Sequence, residues 1–209
     1  MPDMYARSTT LHGDPGSVDA ATAFVRDEVM PAVQAMDGCV GLSMLADHET
    51  GLCIVTTSWR DRESMQASAE GVRPLRDRAM EVFGGEVEVR EWEVSAMHRR
   101  HEAHHGACTR VTWLRGDPDG MERSIDMFRM SLMPRLDDLA GFCSVSLMTH
   151  PAEGMAVSAV TYDSREDMIE TRENARALRD EFAPAMGLAV TDVREFDLVL
   201  AHLRVPETA

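Results

Sequence analysis

The chain has 209 residues and a formal net charge of −15, from 36 acidic against 21 basic side chains, a balance that repels phosphate backbones and anionic membranes. Hydrophobic residues at 44% and charged residues at 27% are the proportions of a folded globular chain and exclude a disordered one. No window approaches the roughly eighteen apolar residues of a spanning helix, and the opening MPDMYARSTTLHGD lacks the basic and apolar runs of a leader, so the expected compartment is the cytoplasm.

Met4 to Leu11 is short, rich in β-branched and aromatic residues, and followed by Gly-Asp-Pro, which predicts a first strand and turn. From Ser17 the apolar positions Val18, Ala21, Val25 and Val29 recur at helical spacing, ending near Met36 with Gly38 as the stop. Cys39 to Leu45 and Leu52 to Trp59 flank the polar ADHETG and read as a β-hairpin. That hairpin sets Cys53 opposite about Met44 and Cys39 out of disulfide reach. A charged helix follows, with a kink expected at Gly71 to Pro74, and Glu86 to Ala96 supplies a fourth strand. MHRRHEAHHG, Met97 to Gly106, is the linker.

The chain then repeats itself. An offset of 103 carries Thr10-to-Pro15 onto Trp113-to-Pro118, Met30-Pro31 onto Met133-Pro134, Gly38 onto Gly141, Gly51 onto Gly154, and Arg73-to-Asp77 onto Arg176-to-Asp180. One inserted residue later, Arg90-Glu91-Trp92 falls on Arg194-Glu195-Phe196. The second copy therefore carries the same elements: a strand at Ala107 to Leu114, a helix through Met121, Ile125, Phe128 and Leu132, a hairpin from Phe142 to Met148 and Met155 to Tyr162, a helix interrupted near Asn174, and a last strand from Ala189 to Leu203. Residues 1–97 form the first repeat, 98–106 a His-rich linker and 107–209 the second repeat.

Strand, helix, two strands, helix, strand is the ferredoxin-like order. The predicted class is α+β, two tandem ferredoxin-like (β-α-β-β-α-β) repeats forming an intramolecular pseudo-dimeric α/β barrel, because such a sheet leaves one face in need of a partner. A homo-oligomer beyond the fused pair is left open.

VTTSWRDRESM (Val55 to Met65) and SAVTYDSREDM (Ser158 to Met168) resemble the signature of the antibiotic biosynthesis monooxygenase-like superfamily of dimeric α/β barrels. In that family a strand ends in an aromatic, usually tryptophan, and a charged turn opens a helix that lines the cavity. The resemblance implies the fold, and its members include cofactor-free oxygenases of polyketide-like aromatics, haem-degrading proteins and proteins of no assigned activity. Where many members carry a histidine after the aromatic, this chain has Ser68 and Ala69, or Thr171 and Arg172. Haem-degrading members pair a strand asparagine with a helix histidine; here the strands offer Arg7 or Arg110, and no histidine lies between Glu63 and Glu91. No cofactor is expected.

The residues expected to bind a small-molecule ligand are Arg7, Trp59, Trp92, Arg110, Trp113 and Tyr162. Trp59 and Tyr162 end the third strand of each copy, where an aromatic can wall a pocket or simply fill the core. Arg7 and Arg110 alternate with apolar residues on the first strands, so each grips an anionic ligand or pairs with Glu91 or Glu195. Trp113 replaces Thr10 and Trp92 replaces Phe196, which makes the two pockets unequal. His98, His101, His104 and His105, with Cys108 nearby, match no closed metal site, and no metal is expected. Arg73-Asp77 and Arg176-Asp180 read as surface ion pairs at i and i+4. No Ser-His-Asp order, phosphate loop or dinucleotide fingerprint appears, and no catalytic residue is assigned. The leading expectation is a cofactor-independent oxygenase of a small aromatic or enolisable compound. The alternatives are a non-catalytic ligand-binding or structural protein, and a haem binder using His12, His48, His150 or a linker histidine.

Overall fold

In a computed structural model, which describes residues 3–203, each copy runs strand, helix, hairpin, broken helix, strand. The first copy comprises β1 (Tyr5–His12), α1 (Val18–Phe24), α2 (Met30–Gln34), β2 (Cys39–Ala46), β3 (Leu52–Trp59), α3 (Arg62–Ala67), α4 (Ala69–Phe83) and β4 (Glu86–Arg99). The second comprises β5 (Cys108–Gly116), α5 (Met121–Met127), α6 (Met133–Asp137), β6 (Phe142–His150), β7 (Met155–Tyr162), α7 (Arg165–Glu170), α8 (Arg172–Ala185) and β8 (Leu188–Leu203). Within the first copy the strands pair antiparallel in the order β4-β1-β3-β2, and within the second in the order β8-β5-β7-β6. β4 reaches Arg99, so the first residues assigned to the linker are strand. By packing, the chain divides between Glu93 and Val94, and the end of β8 from Leu198 groups with the first copy. No helix among the described residues is long and apolar enough to cross a membrane.

Each copy has its own core, between one face of its sheet and its helices. Leu42, Met44, Val18, Val33 and Trp59 are fully buried in the first; Phe128, Phe142, Tyr162, Met121 and Met168 fill the second. Strand alternation sorts the side chains. On β1, Leu11 and Arg7 face the helices, while Ser8 points the other way and accepts a hydrogen bond from the Trp92 indole at 2.8 Å.

The first helix of each copy contains one wide turn, at Val25–Val29 and at Phe128–Leu132. Met30 and Met133 there donate to carbonyls five residues back, on Val25 and Phe128. Pro31 and Pro134 follow directly and have no N–H for the normal ladder, which accounts for the turn at the same place in both copies.

The break in the second helix lies earlier than the sequence suggests. It falls at Ser68 and at Thr171, and Pro74 sits inside α4. The Ser68 hydroxyl donates to the Met65 carbonyl at 2.7 Å, and the Thr171 hydroxyl donates to the Asp167 and Met168 carbonyls at 2.9 and 3.2 Å. Local hydroxyl bonds thus divert the helix where proline was expected to. The hairpin is also tighter than expected, since Asp47 closes the turn on Leu52 and Gly51; Cys53 therefore faces Ala46, not Met44. Cys39 pairs with Trp59 across the hairpin, and none of the four cysteines forms a disulfide.

Gly51 and Gly154 hold the same post. Each takes a positive φ, +75° and +63°, and presses against the Gly-Asp-Pro turn after the first strand. A Cβ on Gly154 would lie 2.1 Å from the Gly116 carbonyl oxygen, and one on Gly51 2.2 Å from that of Gly13. Gly154→Ala should therefore lower unfolding free energy by about 2 kcal/mol, measured by urea titration. An unchanged midpoint would refute this close approach.

Candidate functional site

The two strand arginines sit in matching stations. Arg7 directs Nη2 to the Met65 carbonyl at 2.7 Å and to Glu91 at 2.9 Å, with Nη1 on the Ser68 hydroxyl at 2.9 Å. Arg110 directs Nη2 to the Met168 carbonyl at 2.5 Å and to Glu195 at 3.0 Å, with Nη1 on the Tyr162 hydroxyl at 2.9 Å. Both guanidiniums are buried, at 4% and 3% exposure. Each caps a short helix at its carbonyl end, where the helix dipole is negative, and strand pairing supplies the carboxylate from directly across. The ion pair expected for each arginine is thus present, and it does not exclude contact with a ligand.

The copies differ at the aromatic. Trp59 can only donate, and its indole N–H goes to Thr57 at 3.1 Å, so Arg7 turns to Ser68. Tyr162 can accept, and Arg110 binds it and lies 5.2 Å from its ring centre.

That pair lines a cavity of about 50 Å³ in the second copy, between β5, β6 and β7 on one side and α5 and α8 on the other. Its wall is mostly apolar, with Met121, Phe128, Leu147, Leu178 and Met186 prominent. The polar groups include Arg110, Tyr162, Arg179, Thr112, Ser158 and Ser124. Among the described residues, no carboxylate and no histidine lines it, and His12, His48 and His150 lie elsewhere. Trp113 does not line it either: it packs edge-on against Phe196 at 6.5 Å, on the sheet face opposite Arg110. Arg7, Trp59 and Trp92 belong to the first copy.

Charge is concentrated at the arginine end. Burial pulls the Arg179 guanidinium below its ordinary value, and the Arg110 charge adds to this. Burial pushes the Tyr162 phenol up, although Arg110, the Thr171 hydroxyl and Arg179 all pull it down. It is therefore a neutral hydroxyl at physiological pH. Burial also works to raise Glu195, but hydrogen bonds from Arg172 and Arg110, together with their charges, hold it below the usual carboxylate range. A low-pKa carboxylate gripped by two guanidiniums is a poor base. Its task is to hold Arg110 in place.

Arg179 was not singled out from the sequence. It falls in the Arg176-to-Asp180 stretch read as a solvated face, and Arg176 does meet Asp180 there at 3.8 Å. In the first copy the expected Arg73–Asp77 pair gives way to Arg73–Glu70 at 2.9 Å. The useful signal was that Arg76 and Arg179 also coincide under the 103 offset. Two of the thiols are held protonated: burial pushes Cys53 up to about 12 and Cys108 up to about 11.

Because Glu195 is depressed in the folded state, its stabilising contribution is complete above its unfolded pKa, near 4.5, and fades as pH falls below that toward the folded value. Glu195→Gln should be less stable than the parent at pH 7 and lose less on acidification from pH 5 to 3. Parallel stability curves for the two proteins would overturn this role.

No family model matches the chain. Uncharacterized protein Rv2558 of Mycobacterium tuberculosis (strain H37Rv) is 50% identical to it over 205 residues, 98% of this chain and 87% of that protein. Uncharacterized protein Rv2557 of the same strain is 46% identical over 204 residues, covering 98% and 91%. Among solved structures, an anthrone oxidase-like protein matches with a TM-score of 0.69 at 15% identity, over 99% of this chain and 95% of that one. FN1347 of Fusobacterium nucleatum, a monooxygenase by provisional assignment, gives 0.72 at 8% identity over 97% and 95%. The monooxygenase-like protein LIN2316 of Listeria innocua gives 0.54 at 8% identity, over 94% of each chain. At these identities the likeness is one of fold. The chain shares the fold of these monooxygenase-like and anthrone oxidase-like proteins, and it belongs to the family of Mycobacterium tuberculosis Rv2557 and Rv2558.

Proposed function

We propose that the second copy holds the working site of a cofactor-independent oxygenase whose substrate is a small aromatic or enolisable compound. One observation carries this reading: a buried guanidinium bonded to a neutral phenol, beside a second half-buried guanidinium, on the wall of an otherwise apolar cavity. Arg110, Arg172 and Arg179 against Glu195 and Asp180 leave an excess of positive charge where water is scarce. Such a site favours an enolate or phenolate over its neutral acid.

The anion's carbon then bonds to dioxygen. Protonation gives a hydroperoxide, whose O–O bond breaks with loss of water to leave a carbonyl. In sum, one methylene group and one dioxygen molecule become one carbonyl group and one water molecule. The substrate carbon is the only reductant, so no electron donor is required. Arg110 and Tyr162 hold the oxyanion, Arg179 adds charge, and the apolar wall keeps the ring dry.

Two constraints on the substrate follow. The described lining has no carboxylate or imidazole, so a general base is lacking and the substrate must ionise through its own acidity. The cavity, at about 50 Å³, is smaller than the roughly 150 Å³ that holds benzene in an engineered core. A single ring enters if Met121 and Met186 shift, as flexible thioethers can. A three-ring anthrone does not.

The test is oxygen uptake with single-ring quinols and 1,3-dicarbonyls across pH. Uptake should rise through the substrate's own pKa and fall about a hundredfold in Arg179→Met and Tyr162→Phe. Arg76→Met, the same change in the first copy, should leave it intact. No uptake and no ligand-induced rise in Tm, or equal loss from both arginine changes, would overturn the proposal.

A further inference from the structure

The histidine-rich linker does not stay apart from the fold. His101 lies beside Cys143, at the start of β6, and Asp163, just past β7; one ligand atom from each falls within 4.8 Å of the other two. Cys108, the thiol expected near these histidines, turns instead to Gly106 and Asp197. None of the three residues lines the cavity described above.

The hydrogen bonds within the trio are the informative feature. His101 Nδ1 lies 3.2 Å from the Glu102 carbonyl oxygen, which can only accept, so the ring proton is on Nδ1. With Nδ1 so engaged, Nε2 is the ring atom aimed at the other two groups: it faces Asp163 Oδ1 at 3.5 Å, and this oxygen is shielded from solvent and accepts no hydrogen bond from the described residues. The Cys143 sulfur is buried beside them and donates to the His101 carbonyl at 3.2 Å.

A backbone carbonyl holding the far nitrogen of a histidine is the usual outer support of a metal ligand, because it fixes the ring and aims Nε2. Thiolate, imidazole and carboxylate together suit a borderline ion of the zinc type, bound at about 2.0–2.3 Å. A separation of 4.8 Å contracts to coordination distance by less than about an ångström of side-chain movement. The duplication supplies an independent argument. Under the 103 offset Cys143 and Asp163 correspond to Val40 and Arg60, and His101 lies between the copies. Both differences therefore place a ligand where the first copy has none, and they meet at one point.

The geometry points to a divalent transition-metal site of the zinc class formed by His101, Cys143 and Asp163, with a fourth position open to water or to His104. The ring of His104, an exposed residue, is 5.8 Å from that of His101 and nearly parallel to it. On binding, the Cys143 thiol loses its proton to solvent and no redox step is involved.

The test titrates the full chain, stripped with chelator, with Co2+ alone and then with Zn2+ in competition. One equivalent of Co2+ should bind with a near-ultraviolet thiolate-to-cobalt band that Zn2+ abolishes. Cys143→Ser should remove the band, and Asp163→Asn and His101→Gln should each weaken binding roughly tenfold or more. His101 sits half-exposed on the linker, so its replacement tests the site without touching the core. Cys108→Ser and the His98→Ala, His105→Ala double change should leave band and affinity intact. Absence of the band, its survival in Cys143→Ser, or loss of binding only on removal of the other histidines would overturn the assignment.

Discussion

A buried guanidinium on the first strand of each copy is the interaction from which the local architecture follows. An arginine can satisfy several acceptors at fixed angles, and both Arg7 and Arg110 use that capacity in full: a carboxylate from the last strand, a carbonyl from the end of a short helix, and a hydroxyl. In a medium of low dielectric, any one of these left unmade is costly. The strand, the helix break and the last strand are therefore held in one geometry. A lysine, with a single compact charge, could not span the same three acceptors.

That constraint explains why the second helix breaks at a hydroxyl residue. Ser68 does locally what was expected of Gly71 to Pro74, and Thr171 what was expected near Asn174; the carbonyls of Met65 and Met168 become the seats of the arginines.

Duplication relaxed the two copies differently. Trp59 against Tyr162 converts a donor-only ring into an acceptor for the arginine, and the cavity lined by Tyr162 gains a polar end. Val40 against Cys143 and Arg60 against Asp163 place soft and hard ligands beside the linker. Shared positions hold the scaffold; divergent ones collect around the cavity and the linker. The shared fold with FN1347 and the anthrone oxidase-like protein, at 8% and 15% identity, fits this division, because packing patterns survive where site residues do not.

Much of the scaffold was legible in the residues. Leu52–Trp59 and Met155–Tyr162 are strands end for end as read, because a short apolar run and a positive-φ glycine before it act within a few residues. Gly38 and Gly141 stop their helices for the same local reason. Arg110 and Tyr162 were identified as candidates from their matching places, and so were the carboxylates that bind the arginines. What the sequence could not supply was anything set by long-range approach. The helix break shifted because hydroxyl bonds and a distant arginine compete with proline. Arg179 looked solvated because it lies inside the Arg176-to-Asp180 stretch, next to Asp180, and only the fold turns it to the cavity wall. His101 meets Cys143 and Asp163 across 42 and 62 positions, as their numbering shows, and no spacing rule reaches that far. Local propensity and periodicity determined the elements; which side chains converge was decided by the tertiary structure, since convergence depends on how sheets and helices close on one another.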